Sequence, residues 1–456
     1  MVALARAHVG ENPQASDAVR AFARVGLSNA EEGCHKLFRE HGLCAPVLVE
    51  RMELGEQALK EVPFVRLSTW AKFLLDSGRL WRQMCGAKSL TMMEMILTEF
   101  WSRFRQQHPG HEVFSLMRPM HRVIPFFSHS DEGRTYKSKP IYILSCHGAL
   151  GRGTQASLRH ADPTLHVSDQ QQGLNFVGNT WSNQFIFTCV VRQYMVENPD
   201  LLDEISRVFA SDARKLIMEG IEGQDGTRIY MLHIATKGDL PALAKLGHFE
   251  RTFSHAPRQA SSRKACVGIC HVCMAGCEEG THIPYENFSM NPEWVATVGS
   301  QDPWPELPPI LEGLPMEVGA ETQFFQPDLW HNMHLGCLKH WLGGSFAAVV
   351  ENLHHPMFQG ASVDARFAFL TEQFKMYCRL NKLSPHLSEI SRQTMSWPMS
   401  SAVPVAAWSK GSASTDFMRF LDFFMKEHVI GKTEDVVLLD VAAWPSLLGA
   451  VCAMGS

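Results

Sequence analysis

No apolar run in this sequence approaches the roughly 18 residues needed to cross a bilayer as a helix, which excludes a membrane span of that kind. The opening, MVALARAHVGENPQASDAVRAFARVG, has no continuous apolar stretch, so it is not a secretory signal. Glu11 and Asp17 argue against a transit peptide, and an N-terminal helix fits the segment better. An excess of positive charge is also missing. The chain has 42 Lys and Arg against 47 Asp and Glu, a formal net charge of −5, so no global field draws it onto nucleic acid. Contact with DNA must come from local basic faces, from cations bridging to phosphates, or from polypeptide outside this chain. Regular cysteine spacing is absent as well. Of 12 cysteines, most are scattered, and the four at Cys266, Cys270, Cys273 and Cys277 form one tight cluster. That pattern fits a reducing compartment with a single metal site, not a disulfide framework. No internal repeat is present.

What remains is ordinary globular composition, 45% hydrophobic and 20% charged over 456 residues, enough for two or three cores. The stretch 1–115 reads as a helical domain. Ser28-x-x-Glu31 forms a capping box for a helix to Glu40, closed by Gly42. Ser68 opens a helix to Leu80, and Ser89 to Gln107 repeats Met93, Ile96, Phe100 and Phe104 at helical spacing.

The texture changes near 120. Val123 to Phe127 and Ile141 to Cys146, divided by a polar turn, predict strand-turn-strand. A loop over 159–173 follows. Trp181 to Met195 reads as a buried helix, Pro199 to Glu219 as an amphipathic helix, and Thr227 to Thr236 as a strand followed by a helix with Pro241 in its first turn. These predict an α/β first part of a core over 116–249. A Cys-rich insertion with a basic approach (Arg251, Arg258, Arg263, Lys264) occupies 250–325. A C-terminal helical part, 326–456, completes the core, with helices near 328–352, 363–379 and 414–428. Its apolar end stops without a closing element, as expected of a fragment.

Three constellations can carry chemistry. Asp131 follows the strand ending at Phe127, and Asp239 follows the strand ending at Thr236. Carboxylates at the ends of two strands of one sheet suit Mg²⁺ or Mn²⁺, and a pair of such ions about 4 Å apart drives phosphodiester chemistry. The bland alternative makes Asp131 a turn residue and Asp239 the N-cap of the next helix. The second constellation is Cys-x3-Cys-His-x-Cys-x3-Cys with His282 five residues on. Cys270 and Cys273 form a zinc knuckle, with Cys266 and Cys277 as near ligands and His255, His271 and His282 as the others, in a structural Zn²⁺ site. The third is Asp328-x2-His331, a carboxylate and an imidazole one above the other on a helix face.

The words around these features are familiar. FFSHSDEGRTYKSKPIYILSCHGALG resembles the first-aspartate segment of Plavaka-like and CACTA-like DDE transposases. IYMLHIATKGDLPALAKLG is similar to their second-aspartate segment, GICHVC to the Cys-x2-Cys that follows, and FQPDLWHNMHLGCLKH to their Asp-x2-His element. The resemblance spans about 120–345. It implies an RNase H-like mixed sheet flanked by helices, with the zinc-binding segment as an insertion. Asp131 and Asp239 would be metal ligands, Asp328 and His331 auxiliary or zinc-related. A final acidic ligand would come from Glu351, Glu372, Asp416 or Asp328. Implied with these are transposase-like DNA cleavage and strand transfer at transposon ends, a homo-oligomer and a nuclear location. Against this stand two other readings: a non-enzymatic, transposon-derived zinc protein binding DNA or a protein partner, and a decayed element product without activity.

Overall fold

The computed structural model describes residues 2–12, 14–53, 61–134, 140–151, 183–256, 267–277, 283–397 and 404–443. Cys266, His282, Arg258, Arg263, Lys264, the 159–173 loop and the chain end beyond 443 lie outside these residues.

The frame is a mixed sheet of eight strands flanked by helices: β1 (Glu50–Glu53), β2 (Glu61–Phe64), β3 (Val123–Arg134), β4 (Pro140–Gly148), β5 (Phe185–Val191), β6 (Ile221–Glu222), β7 (Arg228–Gly238) and β8 (Phe325–Pro327). The order is β1-β2-β5-β4-β3-β7-β6, with β8 on the far side of β7. β3, β4 and β5 form an antiparallel meander, whereas β7 lies parallel to β3 and β8 parallel to β7. A parallel neighbour needs a long crossover. Two helices lie on the path from β5 to β7, α7 (Arg192–Glu197) and α8 (Leu201–Met218). α8 has Asp203 and Glu204 in its first turn and Lys215 in its last, matched to its dipole. It buries Ile205, Phe209, Ala213 and Leu216 in the sheet's core, with Phe209 edge-on to Phe187 of β5 at 5.0 Å.

The N-terminal helices are α1 (Val2–Glu11), α2 (Asp17–Arg24), α3 (Ala30–Glu40), α4 (Leu67–Asp76), α5 (Leu80–Cys85) and α6 (Leu90–Gln107). α1 to α3 form a small cluster around Phe22. α4 to α6 share the core of the sheet. Buried Asp212 of α8 fastens α4 by accepting from the backbone N–H of Ser68 at 2.9 Å and from its hydroxyl at 2.7 Å.

Three local readings change. β1 and β2 interrupt the stretch read as helical; each has only four residues, and their edge pairing is a tertiary event with little local signal. The segment read as a helix over 181–195 contains β5 instead. A short apolar run is ambiguous between the two, and FIFTCVV, rich in β-branched and aromatic residues, is held as a strand by its ladder to β4. Asp131 sits inside β3, opposite Ile143, not beyond the strand's end.

After β7 comes α9 (Leu240–Leu246), and after β8 a π-helical turn (His331–Cys337) runs into α10 (Leu338–Asn352). α10, α11 (Val363–Leu380) and α12 (Gly411–His428) enclose a second core, in which the rings of Phe346, Phe374, Phe417 and Phe420 are fully buried. It is tied to the π turn: the Trp408 indole donates to Ser414 Oγ at 2.8 Å, and that hydroxyl donates to the His334 carbonyl. No helix among the described residues is long and apolar enough to cross a membrane.

Candidate active site

Strand register assembles the site. Ser130 of β3 pairs with Gly238 of β7, and Gly238 with Pro327 of β8. The next residue in each segment is an aspartate, Asp131 within β3 and Asp239 and Asp328 just past the ends of β7 and β8, so the three stand side by side at one rim of the sheet. The Asp328 N–H continues the ladder, donating to the Gly238 carbonyl at 2.7 Å.

Each carboxylate has a local role as well. Asp239 is the N-cap of α9, and its Oδ1 accepts from the Ala242 N–H at 2.7 Å. Asp328 Oδ1 accepts from the Trp330 N–H at 2.8 Å, while Oδ2 accepts from His331 Nδ1 at 2.7 Å. His129 Nε2 lies 3.8 Å from the same Oδ2. Asp131 is half-buried and lies within reach of the other charges.

Electrostatics bind these groups into one system. Burial pushes the Asp131 carboxyl up, and the charge of Asp239 adds to this, while His129 and His331 oppose it. For Asp328, burial also acts upward, but His129, His331 and the Trp330 amide outweigh it and hold the carboxyl far below the usual range. The Asp328 hydrogen bond raises the His331 imidazole against the effect of burial, helped by the charges of Asp328, Asp131 and Asp239.

One step back along the strands, the same face carries His129 on β3, Lys237 on β7 and Gln326 on β8, again in register. The Lys237 ammonium lies 4.9 Å from the centroid of the Phe127 ring. Burial pushes its amine down. His129 and Lys237 were not among the residues singled out from sequence. The signal was there: side chains two apart on a strand share a face, so each stands behind one of the predicted aspartates. Two hollows meet along this row, one of 830 Å³ and one of 400 Å³, and both are lined by Lys237 and Asp328.

The other candidates for a final acid stand elsewhere. Glu351 is exposed on α10, and Glu372 pairs with Lys375 on α11 at 2.8 Å. On α12, burial raises the Asp416 carboxyl, and its charged neighbours are Arg419 and His386. Of the four, Asp328 is the one that follows the strand paired with β7, beside Asp239, and His331 belongs with it and not with the cysteines.

In the Cys-rich segment, a thiol–thiol hydrogen bond joins Cys270 and Cys273, pulling Cys270 down and Cys273 up. The buried Cys277 thiol turns to the Val267 carbonyl at 3.5 Å. His271 stacks flat on Phe249 with centroids 4.6 Å apart, and its Nε2 meets the Phe325 carbonyl at 3.1 Å. His255 Nδ1 meets the Gly268 carbonyl at 3.2 Å. Arg251, read from sequence as part of a basic approach, is buried and donates to the carbonyls of Cys270, Gln301 and Asp302. Its charge serves the segment's own backbone.

Among the described residues, no group of three or more His, Cys, Asp or Glu side chains is arranged to hold a metal ion. Comparison with known proteins finds no matching family model, no matching characterised protein and no matching solved structure.

Proposed function

We propose that the chain has an RNase H-like core and acts as a DDE-type, transposase-like enzyme, cutting and joining DNA strands with Mg²⁺ or Mn²⁺ at Asp131, Asp239 and Asp328. The observation that carries this reading is the register of β3, β7 and β8, which sets three carboxylates abreast. The sheet order also supports it: an antiparallel meander of three strands with two parallel strands added beside the first. A homo-oligomer and a nuclear location go with this reading.

The donor chemistry suits a hard divalent cation, since all three groups are carboxylates and the charge of Asp239 is felt at Asp131. Asp239 and Asp328 each spend an oxygen on a backbone cap, so ligation requires the remaining lone pairs and a rotation of side chains. Bound cations would activate the attacking oxygen and stabilise the leaving one. The chain's residues do the rest. Asp131 and Asp239 would hold the cations on the rim. His331 keeps its proton on Nδ1 and orients Asp328. In the first step a water oxygen bonds to phosphorus as the bond to the 3′ oxygen breaks, leaving a 3′-hydroxyl. In the second, that 3′ oxygen bonds to the phosphorus of another phosphodiester as the bond from that phosphorus to its own 3′ oxygen breaks, the departing oxygen taking up the proton as a new 3′-hydroxyl.

Nicking of supercoiled plasmid in Mg²⁺ or Mn²⁺ tests this. Asp131→Ala and Asp239→Ala each abolish it, and cleavage retained in both defeats the assignment.

A second, non-enzymatic reading has its own observation, the paired thiols of Cys270 and Cys273. We propose that they bind a structural Zn²⁺ with Cys277, the set being completed by Cys266 or His282. Metal analysis of the purified chain finds zinc that Cys270→Ser with Cys273→Ser removes. If DNA binding is lost with the zinc but survives both aspartate changes, the zinc segment, not the acidic rim, is the working part.

A further inference from the structure

The larger of the two hollows has more aromatic and cationic character than cation chemistry at the rim requires. Its 830 Å³ lies within the roughly 300–1,000 Å³ range of small-molecule sites. One wall is the turn after β8, with Trp330, Met333 and His334; another is the end of α6, with Phe104 and His108; Phe127 and Lys237 form the sheet side. Trp330 is 38% exposed although it is held from behind: its ring packs on Gly411, where a Cβ would come within 2.6 Å of the indole nitrogen. His334 also lies against the ring, with centroids 3.8 Å apart, so the indole is fixed in place with 38% of the residue open. On the α6 side, Glu317 Oε2 meets His108 Nδ1 at 2.7 Å and its Oε1 accepts from the Gly110 N–H at 3.2 Å. Lys237 has no hydrogen bond or ion pair among the described residues; its ammonium rests against the Phe127 ring.

A fixed, partly open indole and a lysine that makes no ion pair among the described residues, although the Asp328 charge reaches it, suit a flat heterocycle attached to a phosphate. We propose that this hollow binds an unpaired deoxynucleotide, with the base against Trp330 and a phosphate at Lys237. Stacking tolerates any base and needs it out of the duplex, so the hollow would select single-stranded or unstacked DNA over intact duplex. The choice of DNA rests on the function proposed above; the ring and the cation do not.

The test is anisotropy of a labelled single-stranded oligonucleotide in buffer without Mg²⁺ or Mn²⁺, where cation-dependent cleavage does not contribute. The wild-type chain should bind it more tightly than the blunt duplex of the same sequence. Trp330→Ala and Lys237→Met should each weaken binding about 10-fold, the order expected for one stacked base or one phosphate contact. Trp330→Phe keeps an aromatic face and should stay within about threefold, which separates stacking from misfolding. Displacement by deoxyadenosine monophosphate would identify a free nucleotide as sufficient; displacement by longer strands alone would identify a nucleotide within a strand. Equal affinity of wild type and Trp330→Ala, or no preference for the single strand, overturns the proposal. Absence of nicking by the wild-type chain, with this binding intact, would count against the nuclease reading alone.

Discussion

The Asp328–His331 pair offers a quantitative test of the site's electrostatics. The two side chains meet at 2.7 Å and are 23% and 31% exposed. A hydrogen bond to a charged group contributes about 1.5–3 kcal/mol when well shielded, and partial exposure reduces this pair to about 1 kcal/mol. The pH dependence follows from the two shifts. His331 is raised above 6.5, so its contribution is complete below that value and is lost as pH rises through the higher folded-state value. Asp328 is lowered below 3.8, so its contribution is present above that value and is lost as pH falls through the lower one. Together they define a plateau between about pH 4 and 6.5 and a decline on the alkaline side. Urea unfolding of the wild type, Asp328→Asn, His331→Gln and the double variant closes a cycle. The coupling should be about 1 kcal/mol near pH 5.5 and less than half of that near pH 9. Equal coupling at both pH values, or none at the lower, refutes the charged-pair account.

Asp239 has two roles that one substitution separates. Asp239→Ser keeps a capping oxygen for Ala242 and should melt like the wild type, whereas Asp239→Ala should cost about 1 kcal/mol, and both should lose nicking. Gly148→Ala would place a Cβ 1.9 Å from the Met84 carbonyl oxygen, which is backbone and cannot swing aside. Urea unfolding should show a loss of about 3 kcal/mol, and an unchanged midpoint contradicts the packing described. Phe417→Ala should cost about 3–5 kcal/mol in the C-terminal core. Hydrogen exchange should then rise across α10 to α12 and stay unchanged in β3 and β7.

Much of the local structure was legible. Ser89 and Asp239 announce helices as N-caps, and their side chains accept from Met92 and Ala242. The strand over 227–236 and the helix over 199–219 follow from residue type and period. Segments failed where the determining force was remote. β5 looks like any short apolar run until β4 pairs with it, and the four-residue edge strands lack enough length for a pattern. The basic character assigned to Arg251 failed because charge in a sequence does not reveal which carbonyls will surround it.

The sequence alone determined where several helices begin, which runs are apolar, and that Asp239 follows a strand and caps a helix, because capping, periodicity and turn chemistry act within a few residues. Only the tertiary structure decided that Asp131, Asp239 and Asp328 share one rim, that Lys237 stands behind them, and that His331 serves Asp328. Those depend on which strands pair and in what register, and a shift of one residue in that pairing would turn each of these side chains to the opposite face.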